Sequence, residues 1–413
     1  MGSPSGTERK HANQVLLAKV IATGGVEARS LADWMALVSG GAGIVVTDPA
    51  YGAVGDNSTS NTTAIQAALD AVPSTGGSVF IPPGTYRTAT LRMKSNTRLY
   101  GAGPSSILKF TSVSGGAGTT GPGGIMASAD DNTDMSVSDL KLDTTLIAGG
   151  NKAVAWYKAT KTRVDRLHVI TSGQGVVNVN CSDYWVTDSY FESTASLGDA
   201  LIDQWWGSHD GHITGNTVEG NDVANYAILA TGGDTSGTLS TPVYNIEIRG
   251  NIVRNIEEAG IYVQGNLGGA SLMHVVGNTV DRVVDHYGIL IEDIVKNSVF
   301  DGNIIKDTAA NGIRLRKSAV ASGPTGNTIS NNIVVNPNTG SSETEEGAAI
   351  SLGFGSVSTD NLVTGNRVSG SLYVRPLMIH AGCDNNVVGI NVFPTGTVGG
   401  MTDQGSGNII WAP

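Results

Sequence analysis

The phrase Ile213-Thr-Gly-Asn216-Thr-Val218 returns five times further along the chain. It recurs as Ile248-Arg-Gly-Asn251-Ile-Val253, Val275-Val-Gly-Asn278-Thr-Val280 and Val299-Phe-Asp-Gly-Asn303-Ile-Ile305. It then recurs as Ile329-Ser-Asn-Asn332-Ile-Val334 and Leu362-Val-Thr-Gly-Asn366-Arg-Val368. Successive asparagines lie 35, 27, 25, 29 and 34 residues apart. Self-similarity at such a period marks a stacked repeat architecture.

A second phrase follows several of the first, a glycine and then an alternating strand. It reads Ala259-Gly-Ile-Tyr-Val-Gln264, Tyr287-Gly-Ile-Leu-Ile-Glu292 and Asn311-Gly-Ile-Arg-Leu-Arg316. Each repeat therefore holds at least two short strands separated by turn residues, with no long helix-compatible run. This predicts an all-β fold, a parallel β-helix in which each repeat forms one coil. Coils stack at the interstrand spacing of about 4.8 Å. Asn216, Asn251, Asn278, Asn303, Asn332 and Asn366 then share one corner and form a hydrogen-bonded ladder.

The bulk composition agrees. Glycine makes up 56 of 413 residues and charged side chains only 15%, which suits a turn-rich stack and excludes a coiled coil. A net charge of −11 with no basic run argues against nucleic acid as a partner. No apolar stretch of about 18 residues is present, so no membrane insertion is expected. No His/Cys group has zinc spacing and no glycine loop leads a strand into a helix around phosphate. The acidic runs at 130–134 and 343–346 offer too few oxygen ligands for calcium, so neither metal nor cofactor is expected. Cys181 and Cys383 fall on the order of 30 Å apart along the stack, beyond disulfide reach, and read as buried thiols.

Residues 1–45 read as a tag, a linker and a short helix opening at Ser30. Residues 46–393 read as the β-helix, with a capping helix at 61–72 whose buried face is Ile65, Ala68, Leu69 and Val72. Such a cap covers the open edge of the first coil. Residues 111–134 read as a loop and 394–413 as a Gly-rich tail. Wide spacings place insertions near 231–243 and 336–346.

The entry segment carries a resemblance. Tyr51-Gly-Ala-Val-Gly-Asp56, the short helix, a Gly76-Gly strand and Pro82-Pro-Gly-Thr-Tyr86 resemble the opening of the pectate-lyase-like right-handed parallel β-helices. The phrase Ala28-Arg-Ser-Leu-Ala-Asp33 is similar to the segment that precedes the β-helix in bacteriophage tailspikes and capsular polysaccharide depolymerases. That resemblance implies a homotrimer acting on a bacterial surface polysaccharide. It also implies a place in the virion tail, made in the host cytoplasm, or otherwise outside the cell. No C-terminal trimerisation domain is evident, a departure from the tailspike pattern.

Strand alternation places candidate chemistry on the tube exterior. Aligned on the glycines, an outward column reads Asp203, Ala230, Gln264, Glu292 and Arg316. Glu257, Glu258, Asp285 and His286 stand just ahead of it. Asp203, Glu258, Asp285 and Glu292 are the candidate catalytic carboxylates. Trp205, Trp206, Tyr262, His286, Arg314 and Arg316 are the candidate substrate-binding residues. Indole and phenol rings stack on the apolar face of a pyranose, and paired carboxylates provide acid and base for glycosidic hydrolysis. Adjacent rungs separate groups by about 5 Å and alternate rungs by about 10 Å, so either stereochemical course is open. Two other readings stand beside hydrolysis. One is a lyase or C5-epimerase on uronic-acid polymers, using Arg314, Arg316, His286 and Tyr262, although the Asp-Pro-His signature of such epimerases is missing. The other is a glycan adhesin without catalysis.

Overall fold

A computed structural model describes residues 43–115, 121–233, 241–318, 320, 322–340, 347–353, 357–393 and 400–411. The chain divides into two units, Met1–Gly43 and Ile44–Pro413. The expected helix at Ser30, the Ala28–Asp33 phrase and the acidic run at 343–346 lie outside the described residues, as do parts of both insertions.

The second unit is a right-handed parallel β-helix. Its strands form three sheets, termed A, B and C, of 16, 12 and 13 strands. Their neighbour pairings are parallel apart from the short Ser114–Gly115 strand. The recurring phrase is the corner from sheet A to sheet B. Its first apolar residue lies in a sheet A strand and its last in the sheet B strand that follows. Coil after coil the same positions stack inside the tube. In sheet A the column runs Ile213, Ile248, Val275, Phe300, Ile329, Val363 and Val388. In sheet C it runs Ile202, Ile228, Ile261, Ile289, Ile313, Ile350 and Leu377. All these side chains are buried, so the core is a column of matched aliphatic layers.

The corner explains the phrase. Its glycine adopts the left-handed region, with φ of 62–69° at Gly215, Gly250, Gly277, Gly302 and Gly365. Where the phrase lacks glycine, Asn331 takes the conformation at φ 53° and Asp188 at 48°, as the short polar side chains tolerate it. The next residue turns inward. Asn216, Asn251, Asn278, Asn303, Asn332, Asn366 and Asn391 form the expected ladder, extended by one rung. Each Nδ2 donates to the next Oδ1 at 2.9–3.0 Å. The same Oδ1 accepts the preceding rung's backbone N–H at 2.9–3.0 Å. Burying these amides is therefore tolerable, since their polar atoms find partners. A second, unforeseen ladder joins Ser298, Asn327, Asn361, Asn386 and Asn408 at the corner that enters sheet A.

The cap is the helix Thr62–Asp70, with Ile65, Ala68 and Leu69 buried as expected and Val72 buried just beyond it. Asn61 stands at its N-cap but makes no cap bond. Its amide instead grips Val54, accepting the N–H at 2.7 Å and donating to the carbonyl at 3.0 Å. Gln66 bonds both backbone groups of Arg92, at 2.9 and 3.0 Å, so the helix satisfies the first strand of sheet C, Leu91–Met93, as a neighbouring strand would.

Two boundaries differ from expectation. The stretch expected as a loop holds the strand Pro122–Ala127, which pairs with Leu91–Met93 and Lys152–Tyr157. The winding also passes residue 393, because Thr402–Asp403 and Ile409–Ile410 pair onto sheets C and A. Cys181 and Cys383 are unpaired and buried, as the spacing required.

Candidate functional site

The candidate residues gather on the outer face of sheet C. Ala200, Tyr226, Ala259 and Tyr287 form one outward column. Asp203, Leu229, Tyr262, Leu290, Arg314 and Ser351 form the next. Trp205, Thr231, Gln264, Glu292 and Arg316 form a third.

The expected column is thereby corrected at its start. Gln264 is in register with Trp205, not with Asp203, and Ala230 points into the tube beside Val263. The strand that carries Asp203 has a register shift between Leu197 and Ala200. It makes Leu201, rather than Gly198, the equivalent of Gly260.

Outward direction also does not bring exposure. Asp203 is 0% exposed, Arg314 1%, Glu292 2% and Tyr262 5%. The large outward side chains pack on one another, and Leu229, Tyr262, Tyr287 and Leu290 build a second apolar cluster outside the tube. The polar groups among them are buried in its midst and held by directed bonds.

Glu292 is the hub of the C-terminal half. It accepts from Tyr262 Oη at 2.6 Å, from Gln264 Nε2 at 3.1 Å and from Arg316 Nε. Glu292 and Arg316 thus form a cross-strand ion pair beneath the surface. Burial alone would lower the Arg316 guanidinium; the Glu292 carboxylate outweighs it and the group is raised. Burial and Glu292 together push the Tyr262 phenol far up. Tyr287 accepts from Nη1 of both Arg314 and Arg316 at 3.2 Å. Beyond Arg314, Ser351 Oγ lies 3.1 Å from His380 Nε2, and burial, aided by Arg314, depresses His380 to about 4.

Above this floor opens a recess of about 50 Å³ lined by Tyr226, Glu258, His286, Tyr287, Leu290 and Arg316. It has room for one or two water-sized groups. Glu258 is half-buried at its wall. It accepts from Tyr226 Oη at 2.6 Å and from Asn225 Nδ2 at 3.2 Å. His286 stands on the adjacent coil, with Nδ1 3.1 Å from exposed Asp285.

Asp203 heads a separate group in the N-terminal half. Gln174 Nε2 donates to its Oδ2 at 2.8 Å, and its Oδ1 is buried without a partner. Burial, reinforced by Asp199, drives the Asp203 carboxyl well above its ordinary range. Burial also raises Asp199 and lowers Lys152, which the two carboxyl groups partly restore. Lys152 Nζ lies 5.7 Å from the Trp205 ring, and Trp205 stacks on Trp206 at 5.2 Å. Trp206 has φ 21°, an uncommon conformation for a bulky side chain.

Tyr262, Glu292, Arg314 and Arg316 share the outer face of sheet C, as alternation predicted. Sequence reasoning did not single out their neighbours Lys152, Gln174, Asp199, Tyr226 and His380, which lie in coils lacking the two phrases or outside the expected column. Among the described residues, no group of His, Cys, Asp and Glu is arranged to hold a metal ion. No helix there is long and apolar enough to cross a membrane.

Residues 45–232 match the family described as rhamnogalacturonase A/epimerase, pectate lyase-like. Over 105 residues the chain is 34% identical to mannuronan C5-epimerase AlgE3 of Azotobacter vinelandii, covering 22% of this chain and 6% of that protein. The family 28 exopolygalacturonase of Yersinia enterocolitica superposes with a TM-score of 0.63 at 12% identity, over 87% of this chain and 77% of that one. The tailspike protein of E. coli bacteriophage HK620, solved with a pentasaccharide, gives 0.53 at 14% identity, over 93% and 80%. At these identities the solved structures establish the fold alone, a right-handed parallel β-helix.

Proposed function

We propose that this chain binds a bacterial surface polysaccharide along the outer face of sheet C and hydrolyses it at the Glu258 recess. The observation that carries the reading is the position of Glu258. Among the carboxylates of this face it alone lines the recess, and both its oxygens already accept hydrogen bonds. It is thus presented as an acceptor, ready to take a proton from a water that attacks the anomeric carbon. The bond from that carbon to the bridging oxygen breaks, and His286, held by Asp285, delivers a proton to the leaving oxygen. Glu292 and Arg316 support the site from beneath, while Trp205 and Trp206 are placed to stack on sugar rings further along the chain. A tailspike-like homotrimer in the virion tail, or another extracellular setting, fits this reading.

The expected outcome is that the protein shortens one or more capsular or O-antigen polysaccharides and releases reducing ends. Glu258→Gln should lower that rate by about a hundredfold or more while leaving polymer binding intact. Undiminished cleavage by this variant would remove the proposed site. Binding by the parent protein with no shortening of any polymer would leave the adhesin reading.

One observation favours a second reading. Tyr287 lines the same recess, and its hydroxyl oxygen accepts from two guanidinium groups. A phenolate could abstract the proton next to a uronate carboxylate, as a lyase or C5-epimerase requires. Cleavage that produces the unsaturated-uronate absorbance, or C5 inversion seen by proton NMR, would select this chemistry over hydrolysis.

A further inference from the structure

The outer face of sheet A carries an open recess that the sheet C site does not use. Its outward column reads Ser136, Arg163, Trp185, His212 and Glu247, one residue per coil. From Arg163 onward the column is stacked. The guanidinium carbon of Arg163 lies 4.8 Å from the centre of the Trp185 ring, His212 stacks on that ring at 5.8 Å, and His212 Nδ1 lies 3.1 Å from Glu247. The stack stops at Ser136, whose short side chain leaves room beside Arg163. There opens a recess of about 490 Å³, lined by Asp134, Ser136, Lys161, Arg163, Asp183 and Trp185, within the size range of small-ligand sites. Asp134, Lys161 and Asp183 form a second column, each following one residue of the paired row Thr133, Thr160 and Ser182. All three are exposed, as is Arg163. Among the described residues the side chains of Lys161, Arg163 and Asp183 make no hydrogen bond or ion pair; Arg163 rests on the indole, and Asp134 meets Thr133 Oγ1 at 3.3 Å. Carboxylate, ammonium and carboxylate thus follow one another at coil spacings of about 4.8 Å, open to solvent and not engaged by the fold.

We propose that this recess binds a short uncharged segment of a glycan, one or two sugar residues long, at a site separate from the Glu258 recess. The inference rests on the reading above only for the glycan class of the ligand and needs no cleavage. Three features select that ligand. Sugar hydroxyls both donate and accept, so one segment serves Asp134 and Asp183 as donor and Lys161, Arg163 and Ser136 as acceptor. The alternation of charge works against ionic ligands: an anion at Lys161 and Arg163 stands one coil from each aspartate, and a cation at either aspartate stands one coil from Lys161. The rim of the Trp185 indole offers the C–H groups of a sugar an apolar contact. Stacking on that indole also holds the Arg163 guanidinium in place, so little side-chain freedom is lost when a ligand binds.

Tryptophan fluorescence of the full chain tests this by titration with lactose, cellobiose, maltose and diacetylchitobiose and with digalacturonate. At least one neutral disaccharide should change the signal saturably, and digalacturonate should bind about tenfold more weakly or worse. Trp185→Phe should abolish the signal, which places it on sheet A rather than at Trp205 and Trp206. Arg163→Gln, at an exposed position, should weaken the neutral response about tenfold. Asp183→Asn keeps a side chain that tolerates the left-handed backbone at φ 51°. It should weaken the neutral response and narrow the gap to digalacturonate, a change of selectivity that a purely structural role does not produce. No bond breaks in this titration, so it succeeds or fails independently of the Glu258→Gln cleavage assay. No saturable response to any neutral disaccharide overturns the site. So does a signal that survives Trp185→Phe, a folded Arg163→Gln variant that titrates like the parent, or a digalacturonate response equal to the neutral one.

Discussion

A fully buried carboxyl group changes how stability depends on pH. Asp203 has its folded-state pKa raised by burial and by Asp199, against the pull of Gln174, Trp205 and Lys152. The folded state therefore holds this proton where the unfolded chain, at about pH 3.9, has released it. The stabilisation is complete below that pH and is lost as pH rises through the folded-state value. Asp203→Asn keeps the shape and removes the titration. Its stability relative to the parent should grow with pH from about 4 upward, by at most about 1.4 kcal/mol per pH unit. Urea unfolding of both proteins at pH 4 and pH 7 measures the difference; a constant gap would mean that Asp203 is ionised in the fold. At this scale the sequence was a partial guide. Alternation correctly turned Tyr262, Glu292, Arg314 and Arg316 outward. It carried no information on what lies over them, because cover comes from side chains of neighbouring coils.

Among the elements, the corner ladders carry the stack's polar burden. Asn278 accepts two bonds from Asn251 and donates to Ile248 and Asn303, all within 2.8–3.0 Å. Asn278→Ala strands a buried N–H and a buried amide of the coil before it. The expected loss is about 3 kcal/mol in urea unfolding. Asn408→Ala, at the less buried end of the second ladder, should cost under about 1 kcal/mol. Equal losses would mean that the ladder does not act by satisfying buried groups. The first ladder was legible because its asparagines recur inside one phrase. The second was not, because Ser298, Asn327, Asn361, Asn386 and Asn408 share only a preceding left-handed residue, which is variously Asn, Gly or Asp. Conformation, rather than residue identity, is what repeats there.

Over the whole molecule, each coil touches mainly its two neighbours, so opening should start at an end and travel inward. The N-terminal end is covered by the helix Thr62–Asp70, whereas Ile409 and Trp411 in the last coil are 56% and 63% exposed. Hydrogen exchange should accordingly be slowest in central strands such as Ala259–Gln264 and Tyr287–Glu292, and fastest at Ile409–Ile410. Uniform exchange from one end to the other would show global rather than sequential opening. The same one-dimensional order shapes the proposed site: Trp205 and Arg316 share an outward column four strand spacings apart, a length suited to an extended chain of sugars.

The repeat by itself determined the winding, the inward columns, the corner asparagines and the separation of the two cysteines, and the apolar face of 61–72 determined the capping helix. Those follow from period and alternation, which are properties of the chain read along its length. Only the tertiary structure decided which outward groups meet solvent and which are sealed, that Asp203 stands apart from Glu258, and that Lys152 joins it. A shift of register in the strand of Asp203 and side chains packed from neighbouring coils settle those points, and alternation alone reveals neither.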